Sequence, residues 1–150
     1  MLKGKAALVT GSSGGIGLAI AQELAAAGCH VVIHGLEDHS AVTEQLASLR
    51  AHGVTAVYHQ KDLNHPAEVE QLKTLALEQF GCIDILVNNA VIRHFSPIET
   101  FPIERWDQAL AVNLSAPFHF VKTFLPLMRQ AGWGRIINMT SVYGSRGTPN

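Results

Sequence analysis

Residues Thr10 to Gly17 read Thr-Gly-Ser-Ser-Gly-Gly-Ile-Gly, between an apolar run (Ala6–Val9) and a stretch with helical periodicity. The chemistry such a segment offers is anion binding. Gly11 permits a tight turn out of a strand, and Gly15 and Gly17 lack the Cβ that would hold a phosphate or a neighbouring strand at a distance. Backbone N–H groups at a helix N-terminus, with its partial positive charge, then face the anion. A second apolar strand follows about one βαβ unit later, so the segment reads as the pyrophosphate cradle of a dinucleotide site. A structural turn without a ligand is the competing reading.

Other reactive side chains form fewer patterns. The eight histidines make no HExxH or other ligand pairing, so no metal site is expected. Cys29 and Cys82 lack CxxC spacing and fall where strands should begin, which suits buried, reduced thiols in a cytoplasmic protein. With 47% hydrophobic and 15% charged residues, the 150-residue chain has the composition of one globular domain. A net charge of −1 with scattered Lys and Arg offers no footprint for nucleic acid. The apolar run after Lys3 and Lys5 is too short for a signal peptide, and no stretch is long enough to span a bilayer, so no membrane role is expected.

The elements that must position the glycine segment alternate from end to end. Strands are expected at Ala6–Thr10, His30–His34, Val54–His59, Ile83–Val87 and Arg135–Thr140. Between them, Ile16, Ile20 and Leu24 mark one face of a first helix ending at Gly28. Ser40 reads as the N-cap of a second helix carrying Val42, Leu46 and Leu49 and stopped by Gly53. Pro66 opens a third, with Val69, Leu72, Leu75, Leu77 and Phe80, closed by Gly81. After a loop with Pro97 and Pro102, a long helical region runs from about residue 103 to 130. Strands alternating with helices imply an α/β fold, a Rossmann-like doubly wound parallel sheet with right-handed crossovers, as one domain over residues 1–150.

The loop is spaced Thr-Gly-x-x-x-Gly-x-Gly. Together with Asn88-Asn89-Ala90 after strand four, Asn113 in the long helix and Ser141 after strand five, it makes the chain resemble the short-chain dehydrogenase/reductase family. The resemblance runs from Leu2 to about Gly147. Three stretches, 2–22, 96–120 and 132–144, are most similar to bacterial 3-hydroxybutyrate dehydrogenases, with polyol and sugar-acid dehydrogenases as alternatives.

The resemblance implies hydride transfer between a nicotinamide cofactor and a small hydroxy acid or related alcohol. It implies that Gly11, Ser13, Gly15, Ile16 and Gly17 line the pyrophosphate, although a serine such as Ser13 also suits a plain turn. Asp62 and Leu63 match an adenine contact, and Asp62 equally suits a turn or helix cap. Asn89 and Ala90 match the nicotinamide-side ribose contact. Asn113 matches a catalytic-site asparagine whose backbone carbonyl holds a water. Pro117, four residues on and without an N–H, leaves that carbonyl free at a kink or is a tolerated irregularity. Ser141 matches the serine that hydrogen-bonds the substrate. Full-length members associate as homo-oligomers.

The position that carries a ribose-binding acid falls on Gly35, with Leu36 next. Glu37 or Asp38 reaches the ribose, or both are loop charges before the next helix. No Lys or Arg occurs between Lys5 and Arg50, so a 2′-phosphate finds no strong partner near the loop and NAD is favoured over NADP.

The chain also departs from the family pattern. The family's general acid/base is a tyrosine in Tyr-x-x-x-Lys, because tyrosine needs a nearby cation to work near neutrality. Here Tyr58 is followed four residues later by Asp62, and Tyr143 by Gly147, so the pair is missing. The resemblance therefore implies an amino-terminal part of such a domain, truncated after the fifth strand, alone inactive or a non-catalytic dinucleotide-binding or association module. Strand five would be an edge with apolar residues, and the long helix would expose Phe118 and its neighbours, favouring association. Val91 stands where the family has glycine. Arg93 and Tyr143 occupy positions that hold the substrate carboxylate in the hydroxybutyrate enzymes, usually as glutamine and histidine. Arg93 grips a carboxylate bidentately there or is a solvated loop residue.

Overall fold

Three of the five strands are mainly apolar runs buried on both faces, which is why they form the interior of a parallel sheet. A computed structural model describes residues 2–146. Its strands are β1 (Ala6–Val9), β2 (His30–Gly35), β3 (Ala56–Gln60), β4 (Ile85–Asn88) and β5 (Arg135–Asn138). They pair in parallel in the order β3-β2-β1-β4-β5. The chain moves outward from β1 to β3 and restarts on the other side at β4. The direction of winding thus reverses between β1 and β4, where ligands of doubly wound sheets bind beyond the strands' carboxyl ends.

Alternate strand residues feed two cores. Ala7, Val9, Val31, Ile33, Ile85 and Val87 pack under α1 (Gly15–Ala26) and α2 (Thr43–Arg50). Leu8, Val32 and Leu86 pack under α3 (Pro66–Phe80) and α5 (Ala116–Gln130), against Leu72, Phe120 and Phe124. Helices on both faces make the sheet doubly wound. α4 (Ile103–Leu110) leads into α5 through a π-helical turn, Ala111–Ser115, so the long helical region is interrupted by one wide turn carrying Asn113.

Three local expectations need correction. The face of α1 against the sheet is Gly17, Ala21 and Ala25, while Ile16 is 66% exposed and Ile20 and Leu24 flank the contact. Small residues let helix and sheet approach closely, which displaces the larger side chains to the sides. Ser40 is not an N-cap: it lies within a short 3₁₀ turn, His39–Val42, and α2 begins afterwards at Thr43, whose hydroxyl donates to the Ser40 carbonyl at 3.0 Å. The strand ends also move by one or two residues from their expected limits. β5 forms an edge whose residues are exposed or half-buried, with Ile137 45% exposed.

Candidate functional site

The glycine turn is held by side chains from three strands. Gly11 (φ +61°) sits so close to Ala90 that a Cβ would lie 2.8 Å from the Ala90 Cα. Gly17 is more confined: a Cβ there would lie 2.2 Å from the Gly11 carbonyl oxygen and 2.6 Å from Asn89 Nδ2. Gly17 therefore lets α1 close onto the turn, while Gly15 (φ +54°) has open space where a Cβ would stand. Asn89 Nδ2 donates to the carbonyls of Thr10 (3.0 Å) and Gly11 (2.8 Å). Thr10 Oγ1 accepts from the backbone N–H groups of Asn89 and Ala90, each at 3.0 Å. The fully buried Ser12 exchanges hydrogen bonds with the His34 backbone: its N–H donates at 2.7 Å and its Oγ accepts at 3.0 Å. His34 Nδ1 accepts from the Gly11 N–H at 3.0 Å.

Helix α1 begins at this turn with Gly14 as N-cap. It has no side-chain cap and no acidic residue in its first turn. Its first N–H groups and the positive end of its dipole are thus left to a ligand anion.

The turn opens on a cavity of about 450 Å³ lined by Gly11, Ser13 and Gly14, by Gly35 at the end of β2 and Glu37 beyond it, and by Asp62, Leu63 and Ala90 beyond β3 and β4. Among the described residues its lining has no Lys or Arg. The Glu37 carboxylate folds back over Gly35. A Cβ on Gly35 would lie 2.4 Å from Glu37 Oε2 and 2.6 Å from Ser13 Oγ, so glycine at this position makes room for both. The carboxylate accepts from the Leu36 N–H at 3.0 Å. Hydrogen bonds from its own backbone N–H and from Ser13 hold its pKa below the ordinary carboxylate value. Asp62 also builds the turn before α3: its Oδ1 accepts from the Asn64 N–H at 2.9 Å, and its N–H donates to Glu68 at 2.8 Å. Leu63 is buried and joins the core below.

A second cavity, of about 630 Å³, adjoins the first across Val91 and Ile92, which line both. It gathers Ile16, Asn89, Arg93, Asn113, Ser141 and Tyr143 among apolar walls that include Phe95, Trp106 and Met139. The Asn113 side chain clasps the Ile92 backbone, accepting from its N–H and donating to its carbonyl, both at 2.9 Å. Ser141 Oγ accepts from the Tyr143 N–H at 3.3 Å. Arg93, Asn113, Ser141 and Tyr143 are all exposed. Val91, 59% exposed, puts its side chain at the junction of the two spaces.

The structure thus divides the sequence candidates. Gly11, Ser13, Asp62, Leu63 and Ala90 share the first cavity, and Ile16, Asn89, Arg93, Asn113, Ser141 and Tyr143 share the second. Gly15 and Gly17 line neither. Thr10, Ser12 and His34 escaped the sequence reading, because a polar residue in or beside a strand gives no sign of its partner across the sheet. Tyr58 is unsuited to acid/base work: desolvation and the charges of Glu37 and Asp38 push its pKa up to about 12. Its hydroxyl donates to the Glu37 carbonyl at 2.6 Å, bracing the loop that carries the carboxylate. Gly147, four residues after Tyr143, lies outside the described residues. Among those residues, no group of three or more His, Cys, Asp and Glu is placed to hold a metal ion, and no helix is long and apolar enough to cross a membrane.

Comparison with known proteins places this arrangement among oxidoreductases. The family model described as short chain dehydrogenase matches residues 5–150. A D-beta-hydroxybutyrate dehydrogenase of Cupriavidus necator is 47% identical over 144 residues, covering 96% of this chain and 55% of the relative. The chain therefore spans about half the length of that relative. The crystal structure of an NAD+-bound xylitol dehydrogenase superposes with a TM-score of 0.87 at 33% identity, over 99% of this chain and 57% of the other. A metagenomic short-chain oxidoreductase in complex with NADP gives 0.91 at 37% identity, over 98% and 66%.

Proposed function

From the premise that this chain belongs to the short-chain dehydrogenase family, we propose that its first cavity binds a nicotinamide dinucleotide, NAD in preference to NADP. The second cavity then takes a small hydroxy acid or related alcohol. One observation carries the reading: the uncapped N-terminus of α1 opens on a cavity whose β2 wall presents the Glu37 carboxylate. Such a carboxylate accepts from the hydroxyls of an adenosine ribose and repels a 2′-phosphate. Turn residues Gly11, Ser13, Gly15, Ile16 and Gly17 serve the pyrophosphate side, Asp62 and Leu63 the adenine side, and Asn89 and Ala90 the nicotinamide side.

The bound dinucleotide supplies hydride acceptance or donation. This chain's own residues bind and orient. Ser141 offers its hydroxyl to the substrate oxygen, Asn113 holds a water and the Ile92 loop, and Arg93 with Tyr143 meets a substrate carboxylate. The similarity to a protein named D-beta-hydroxybutyrate dehydrogenase supports a 3-hydroxybutyrate-like substrate. The exposed stripe Trp106, Leu114 and Phe118 supports self-association, and the free thiols of Cys29 and Cys82 support a cytoplasmic setting. These 150 residues contain no Tyr-x-x-x-Lys, which favours a second reading for the chain alone: a dinucleotide-binding module without turnover.

Calorimetric titration with NAD and NADP tests the site. Saturable NAD binding is expected, with NADP weaker by about tenfold or more, equivalent to about 1.4 kcal/mol. Glu37→Lys should narrow that gap. Equal or tighter NADP binding overturns the preference, and no saturable binding of either removes the cofactor reading. Turnover of 3-hydroxybutyrate by the chain alone, abolished by Ser141→Ala, would sink the non-catalytic alternative.

A further inference from the structure

We propose that His34 is a positioning residue for the dinucleotide site: its uncharged imidazole ties the glycine turn to the end of β3, and the turn keeps its binding shape only while that ring is neutral. The proposal rests on the cofactor reading above and adds a residue and a condition to it.

The hydrogen bonds select one form of the ring. Nε2 lies 2.8 Å from the Lys61 carbonyl oxygen, which only accepts, so Nε2 carries the hydrogen. Nδ1 lies 3.0 Å from the Gly11 nitrogen, whose N–H only donates, so Nδ1 carries none. That is a single neutral tautomer, spanning the first glycine of the turn and the residue before Asp62. The ring therefore couples the pyrophosphate side of the cavity to its adenine side. The same residue's backbone exchanges two hydrogen bonds with Ser12, so the turn is pinned at two successive residues.

A second proton on the imidazole would set its Nδ1–H against the Gly11 N–H. His34 is 3% exposed and its contact with the half-buried Gly11 is confined, so protonation removes the acceptor of that amide and drives the turn to shift. The charged or titratable groups facing the ring are Glu37 after β2, Asp62 after β3 and His59 on β3; the turn itself contributes none. Burial outweighs the hydrogen bond to the Lys61 carbonyl and the two carboxylates, and holds the imidazole below its ordinary pKa. A ligand that needs the ordered turn binds the neutral form, so its affinity falls as pH drops through the His34 titration.

The test is calorimetric titration of the 150-residue chain with NAD at about pH 8 and at the lowest pH, below the usual histidine range of about 5–8, at which circular dichroism shows the chain folded. The unchanged chain should bind about threefold or more weaker at the lower pH. In His34→Asn the amide oxygen takes the place of Nδ1 and does not titrate. That variant keeps an acceptor for the Gly11 N–H but gives up the Lys61 contact, so it should bind more weakly than the unchanged chain and more tightly than His34→Leu at the higher pH, with a flat profile. His34→Leu leaves the Gly11 N–H without an acceptor and should bind about tenfold weaker at both values.

A profile in His34→Asn parallel to that of the unchanged chain overturns the proposal. So does tighter binding at low pH, which would mean that a protonated ring attracts the pyrophosphate directly. Should His34→Leu fail to fold, the comparison of the unchanged chain with His34→Asn decides alone. Absence of NAD binding by the unchanged chain at the higher pH instead fells the cofactor reading and this proposal together, whereas NAD binding with parallel profiles fells this proposal only.

Discussion

The two adjoining cavities are built by different means. Around the glycine turn, polar groups of Thr10, Ser12, His34 and Asn89 are spent on holding backbone, and the strands beneath are almost entirely buried. Around Ser141, the walls are large side chains with solvent still on them: Ile98 is 83% exposed, Phe95 63% and Trp106 52%. Beside Ser141, β5 is an exposed edge, whereas β1 and β4 are flanked on both sides. The first cavity is thus preorganised by hydrogen bonds within these residues. The second takes its shape from exposed apolar surface. Preorganisation of the first kind is brittle, because each group has one place to be, whereas an uncovered apolar wall tolerates change.

Substitutions can break this contrast. The largest effect is expected from Gly17→Ala, whose Cβ would stand 2.2 Å from the Gly11 carbonyl oxygen, against backbone that cannot swing aside. Overpacking of that kind costs about 1–3 kcal/mol or more. Urea unfolding should register that loss, and titration should show NAD binding weakened by at least about tenfold. An unchanged midpoint would mean that the turn is softer than its hydrogen bonds suggest. Thr10→Val keeps the shape but removes the hydroxyl that receives two N–H groups. Unsatisfied buried donors cost about 1–3 kcal/mol, the lower end applying here because Asn89 and Ala90 are only part-buried. The smallest effect belongs to the uncovered side. Phe118→Ser, at a residue 60% exposed, should move stability by no more than about 0.5 kcal/mol while reducing self-association in sedimentation. A large loss there would show that the stripe is part of the core, erasing the contrast.

Much of the frame was legible because its signals are local. Val31, Val32 and Ile33 in an unbroken run announce a strand covered on both faces, and the Thr-Gly-x-x-x-Gly-x-Gly spacing announces a turn into a helix. Misreadings arose where a signal had a second explanation. Ser40 had the residue type of an N-cap, yet the chain makes a 3₁₀ turn first. Ile16, Ile20 and Leu24 had helical spacing, but Gly17, Ala21 and Ala25 share that period one position on and pack closer. Glu37 was visible as a charge two residues past the usual position; that it curls back over Gly35 to meet Ser13 was not.

The sequence by itself determined the order of elements, the doubly wound class and the glycine turn, because periodicity and glycine's conformational freedom act within a few neighbouring residues. Tertiary structure alone decided how the candidates are shared between two cavities, which glycine packs and which stays open, and that His34, 23 residues from Gly11 along the chain, completes the turn. Those outcomes depend on which strands lie side by side and on how closely a helix settles on a sheet. Contacts of that range are written in the packing of the whole, where no local pattern displays them.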